Sequence, residues 1–136
     1  MREILFRGKT LATESKWVEG FYNHIPCGRF LCDEHCIQTI AEDGRIGQLY
    51  TVYESTVGQF TGRTDKNGKK VFEHDILQIY TVWADGTVEK AGTGIVRWWE
   101  NDQCYVLTTE EGYHIDDFGN YGRPEYFEVI GNIYEF

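Results

Sequence analysis

The 136 residues predict a mainly β fold, with a β-rich α+β arrangement as the alternative. No stretch keeps helical spacing of apolar residues over enough length to make a stable helix. Short apolar runs recur instead at even intervals, each bounded by a turn signal, as in small barrels and packed sheets. There are 15 glycines against 2 prolines, and aromatic residues make up 15% of the chain. Glycines among aromatics suit tight turns between short strands: glycine accepts positive φ, and aromatic rings pack well on a pleated surface.

Taken in order, Ile4 and Phe6 begin a first strand. The aromatic and β-branched run Trp17-Val18-Glu19-Gly20-Phe21-Tyr22 makes a second, with Gly20 as a candidate bulge. Cys36 to Ala41 alternates and ends at the turn Glu42-Asp43-Gly44. Leu49 to Tyr53 is the next strand, and Glu54-Ser55-Thr56 has room for a single helical turn. Asp65-Lys66-Asn67-Gly68-Lys69-Lys70 is a hairpin turn, since Asn-Gly between apolar runs supplies the positive φ that tight hairpins need. Asp75 to Trp83 is apolar on both faces, which predicts a central strand covered on both sides. Asp85-Gly86 turns the chain into Thr87 to Trp99, where Gly92 and Gly94 predict a bend or bulge. Glu100-Asn101-Asp102 leads to Cys104 to Thr108. Gly112 to Pro124 reads as an acidic loop with one short strand, and Tyr126 to Tyr134 as the closing strand. The boundary between two subdomains falls near Thr61-Gly62, giving residues 1–60 and 61–136 within one unit.

Four motifs, in order and spanning nearly the whole chain, resemble the YopX family of small phage and prophage proteins. They are Met1-Arg2-Glu3-Ile4-Leu5-Phe6-Arg7, then Trp17-Val18-Glu19-Gly20, then Thr56 to Gly62 followed by Asp65 to Lys69, and last Val129-Ile130-Gly131-Asn132-Ile133-Tyr134-Glu135. The resemblance implies a β-rich fold whose second half is an SH3-like small barrel. It implies a mobile-element origin and a bacterial host cytoplasm, and it carries over no catalytic residue. One departure has a structural consequence: Glu73-His74-Asp75 stands where the family pattern runs Glu-Gly-Asp. If that glycine serves a positive φ, His74 must tolerate strain or the turn must differ. The closing strand is expected at a sheet edge, or completed by another subunit.

The net charge of -9 is uneven. Glu100, Asp102, Glu110, Glu111, Asp116, Asp117, Glu125 and Glu128 face one base, Arg123, in that stretch. Such a surface repels phosphate, so direct nucleic-acid binding is not expected. It reads as a solvated face that maintains solubility or, more sharply, as a decoy for a protein that binds nucleic acid. No apolar run approaches a membrane span, and the N-terminus lacks the apolar core and cleavage site of a signal peptide. A cytoplasmic location without membrane contact is expected, with its four cysteines reduced.

Cys27, Cys32 and Cys36 lie near His24 and His35, residue types that could make a tetrahedral zinc site. The Cys-x4-Cys-x3-Cys spacing is not that of common zinc knuckles, and the plainer reading is three thiols. A cysteine nucleophile needs a neighbouring base, and His35 points away from Cys36 on a strand. The pairs Glu110-Glu111 and Asp116-Asp117 read as solvated carboxylates rather than an acid-base pair or cation site. Gly92-Thr93-Gly94 lacks the rest of a dinucleotide loop. No cofactor and no metal are therefore expected. Trp83, Trp98, Trp99, Tyr105, Tyr113, Tyr121 and Tyr126 are numerous for so small a chain, and small barrels of SH3-like form bind peptide or nucleic acid through aromatic grooves. Adjacent Trp98 and Trp99 should face opposite sides, the outward ring being a candidate anchor. The candidate binding residues are Trp98, Trp99, Tyr105, Tyr113, Asp116 and Asp117. The expected function is non-catalytic binding of a protein partner or self-assembly into a homo-oligomer, with the acidic decoy and a small zinc protein or metal-dependent enzyme as alternatives.

Overall fold

A computed structural model of the chain describes residues 3–25, 34–120 and 123–135. The chain divides into two units, Met1–Phe60 and Thr61–Phe136. It is mainly β and its strands are antiparallel throughout. Among the described residues no helix is long and apolar enough to cross a membrane.

The first unit holds β1 (Phe6–Lys9), β2 (Trp17–Ile25), β3 (Glu34–Ile40), β4 (Ile46–Thr51), a 3-10 turn at Glu54–Thr56, and the start of β5 (Gly58–Thr64). The strands lie in the order β4-β3-β2-β1-β5. Ile4 falls outside β1, which starts at Phe6, and β4 starts earlier than Leu49. The Glu42-Asp43-Gly44 turn is closed by Gly44 N–H donating to Ala41 O at 2.9 Å. β2 pairs with β1 through Trp17 to Gly20 and with β3 through Phe21 to Ile25, so it changes ladders between Gly20 and Phe21. The core of this unit is Val18, Ile37 and Val52, with Phe6, Tyr22, Tyr50 and Val57 packed on it. The 3-10 turn is tied in by Thr56, whose Oγ1 accepts from Lys9 N at 2.9 Å and donates to Tyr53 O at 2.7 Å.

In the second unit β5 ends and β6 (Lys70–Phe72) follows the Asn67-Gly68 turn. β7 (Asp75–Val82), β8 (Val88–Trp99), β9 (Cys104–Thr108), β10 (His114–Asp117) and β11 (Phe127–Asn132) form a sheet of order β10-β9-β8-β7-β11. This is a four-strand meander whose fifth strand returns beside the first. β10 and β11 end the sheet and are not paired with each other among the described residues. β11 is thus an edge strand. The short strand expected in the acidic loop is β10, and the bulge expected at Gly92 falls where the β7–β8 register shifts.

Val71, Leu77, Ile79, Val96, Leu107, Phe118 and Phe127 make the core. Phe118 and Phe127 meet edge to face at 5.2 Å, and the Arg63 guanidinium lies over both rings while donating to Phe118 O at 2.8 Å. Strand β7 corrects the expectation of burial on both faces. Asp75, Leu77 and Ile79 are buried, whereas Ile76, Gln78 and Tyr80 are half-buried. An apolar run alone does not report coverage, because a half-covered face tolerates Ile and Tyr as readily as a core does.

His74 has φ +79, in the left-handed region that favours glycine, so here the residue itself takes the strain. Its N–H donates to Val96 O at 2.7 Å and its carbonyl accepts from Ile133 N at 3.1 Å, which pins the turn between β8 and the C-terminal segment. A β-branched side chain is disfavoured there by about 1–2 kcal/mol. His74→Val is therefore expected to lower the urea midpoint, whereas His74→Gly should stay near the wild-type value, strain relief offsetting lost chain stiffness. A His74→Val protein as stable as wild type would show that the turn relaxes.

Candidate functional site

The six expected binding residues fall on both faces of the second unit's sheet. On β8, Val96 lies opposite Leu107 of β9, and both belong to the core. Trp98 and Tyr105, the pair two residues further on, share that face by strand alternation. Their rings meet edge to face at 5.0 Å, and Trp98 Nε1 donates to Glu100 Oε2 at 3.1 Å. Trp98 is 39% exposed, so this pair extends the core to the rim of the sheet.

Trp99 takes the other face, opposite Cys104. Its ring lies 5.8 Å from that of His114, whose Nε2 is 2.9 Å from Asp117 Oδ1. Arg97, two residues back along β8, shares the Trp99 face and donates from Nε to Thr108 Oγ1 at 3.0 Å. Asp116 accepts the Asp117 N–H through Oδ1 at 2.8 Å, at the point where the β9–β10 register shifts. Tyr113 stands apart on the turn before β10, 73% exposed. The structure thus groups Trp98 with Tyr105 and Trp99 with Asp117. His114, which joins the second group, carried no pattern of its own in the sequence beyond lying three residues before Asp117.

Cys104 is not an activated nucleophile. Burial, and then the nearby Asp117 and Asp102 carboxylates, raise its thiol above the ordinary value, which favours the protonated form. Cys27 and Cys32, the other thiols of the zinc reading, lie outside the described residues. Cys36 lies opposite Asn23 in the β2–β3 ladder, while the next pair is His24 opposite His35. Successive strand residues face opposite sides, so Cys36 and the two histidines do not converge. Among the described residues no group of three His, Cys, Asp or Glu side chains is placed to hold a metal ion.

The first unit contains an array that spacing did not show. The Tyr22 hydroxyl meets His35 Nδ1, and His35 Nε2 lies 3.4 Å from Glu54 Oε2. The His35 ring stacks on His24 at 4.3 Å with an interplanar angle of 5°. Hydroxyl, imidazole and carboxylate in series have the form of a catalytic relay. The hydroxyl is nonetheless disfavoured as a nucleophile. Burial first, and then Glu54 and Cys36, raise its pKa above the ordinary tyrosine value. Tyr22 keeps its hydroxyl proton at neutral pH, and the array ties β2, β3 and the 3-10 turn together. It escaped the sequence reading because its members come from three separate elements.

The central Asp65–Lys69 motif is a clip. Asp65 is buried; its Oδ1 accepts from Asn67 N and Lys69 N at 2.9 Å each, and its Oδ2 accepts from Val129 N at 2.8 Å. Lys66 N donates to Phe127 O at 3.2 Å, and Asn67 Nδ2 to Glu128 Oε2 at 3.2 Å. Gly68 supplies φ +80 in the turn. The motif therefore holds the hairpin to the closing strand, which accounts for its residue types without any chemistry.

No curated protein matches the chain. The YopX protein family matches residues 21–136, a span that includes the Asp65 clip and the closing strand but not Met1–Arg7 or Trp17–Gly20. With most of its length so matched, the chain belongs to the YopX protein family.

Proposed function

We propose that the protein acts without catalysis, as a module that binds a second copy of itself through the sheet of its first unit. One observation carries this reading: an apolar strip across β2, β3 and β4. Phe21 and Leu49 flank Gln38 in register, and Ile40 lies opposite Ile46. Phe21, Leu49 and Ile46 are 52%, 50% and 79% exposed. Soluble monomers rarely leave contiguous apolar surface of this kind uncovered. β4 ends its sheet and bears no charged side chain, so it lacks one device by which edge strands repel one another. A charge-free strip also lets two copies meet despite the net charge of -9. The same strip would serve a host or phage protein as partner. Membership of the YopX family supports a phage or prophage origin and, with it, a bacterial cytoplasmic setting.

The exposure of Glu100, Asp102, Glu110, Glu111 and Glu125 favours a second reading, the acidic decoy. Sedimentation velocity over a range of concentrations, at low and high salt, separates the two. Self-association by the strip gives a defined oligomer whose mass is insensitive to salt, and Ile46→Ser with Leu49→Ser gives a folded monomer. A monomer at every concentration overturns it. The decoy instead captures a basic protein and releases it as salt rises, since exposed charges are screened.

A further inference from the structure

We propose that a cavity in the second unit is a binding site for a free aliphatic amino acid. It is an open cleft of about 380 Å³ lined by Ile76, Ile95, Arg97, Glu110, Asn132, Ile133 and Glu135. That volume lies within the usual range of small-molecule sites. Its charges are arranged in an unusual way. Arg97 is half-buried, and among the described residues the one hydrogen bond of its guanidinium runs from Nε to Thr108 Oγ1. Glu110 and Glu135 line the same space, yet neither forms an ion pair with Arg97 among the described residues. Glu135 is oriented instead by Asn132, which donates from Nδ2 to Oε1 at 3.1 Å. Asn132 is itself fixed, accepting Tyr134 N at Oδ1 at 2.8 Å.

A guanidinium anchored at Nε presents its outer edge, the fork that matches a carboxylate. A simple anion would meet that fork but would be repelled by two carboxylates. A simple amine would satisfy the carboxylates and leave Arg97 uncompensated. A small zwitterion answers both, with its carboxylate on Arg97 and its ammonium toward Glu110 and Glu135. Ile76, Ile95 and Ile133 make the remaining wall apolar, which selects an aliphatic side chain.

The test is titration of the full chain, followed by amide chemical shifts, with three probes: L-leucine, L-leucinamide and 4-methylpentanoate. L-leucine is expected to give saturable shifts at Ile76, Ile95 and Asn132. The probes lacking the carboxylate or the amine should bind roughly tenfold more weakly, the loss of one charge-assisted contact. Arg97→Gln should weaken L-leucine but not the cationic L-leucinamide, and Glu110→Gln should weaken L-leucine but not 4-methylpentanoate, each variant relieving the repulsion that its single-charge probe meets. Glu110 is exposed, so its variant keeps the fold and the test stands even if Arg97→Gln does not. No saturable shift with L-leucine, or equal responses to all three probes, overturns the proposal.

Discussion

Gly20→Ala is expected to be strongly destabilising, its added Cβ meeting the tightest contact of the glycines described. A Cβ at Gly20 would lie 2.0 Å from Gln38 O and 3.1 Å from Thr39 Cα. Both are backbone atoms, so no rotamer change can make room. The close approach arises because β2 leaves its ladder with β1 at this point and enters its ladder with β3. An alanine must push β3 away, straining the pairing that places Ile37 in the core and His35 beside Tyr22. Overpacking of this kind costs about 3 kcal/mol, a large share of a stability of roughly 5–15 kcal/mol. Gly119→Ala is the control, since nothing lies within 4 Å of its added Cβ and its φ is not positive; it should shift stability by less than about 0.5 kcal/mol. Equal urea midpoints for the two variants would show that β3 yields easily.

Removing the Asp65 carboxylate should cost nearly as much. In Asp65→Ala the N–H groups of Asn67, Lys69 and Val129 lose their acceptor together. A hydrogen bond to a charged group contributes about 1.5–3 kcal/mol, and because these three part-buried donors share one carboxylate the total should be about 3 kcal/mol rather than their sum. Asp65→Asn separates the parts. One amide oxygen can still serve the turn, while the NH2 opposes Val129 N–H, so β11 should loosen while the hairpin persists. Hydrogen exchange would read this directly: Val129 should lose protection in both variants, Lys69 mainly in Asp65→Ala. If Val129 stays protected in both, β11 is held by its β7 ladder alone and the clip is dispensable.

The local features were legible in the sequence for local reasons. The Asn67-Gly68, Asp85-Gly86 and Glu42-Asp43-Gly44 turns follow from residues that accept positive φ or hydrogen-bond to their own backbone. The order of strands along the chain followed from those turns. At His74 the sequence left two outcomes open, strain at the residue or a different turn, and φ +79 shows the first. Coverage of β7 was misread because hydrophobicity measures a preference for burial and not the presence of a neighbour. The candidate binding residues were chosen as aromatic or acidic types. Their division, Trp98 with Tyr105 and Trp99 with His114 and Asp117, depends on the β8–β9 register, which no single strand encodes.

The sequence by itself determined the mainly β class, the family and the places where the chain turns, because each rests on backbone preferences within a few residues. Only the tertiary structure decided that Asp65 reaches Val129, that Tyr22, His35 and Glu54 stand in series, and that Arg97 shares a cavity with Glu110 and Glu135 without pairing to them. Those meetings join residues far apart in the chain. They arise from strand order and register, which are chosen by burial of the whole apolar surface rather than by any local stretch.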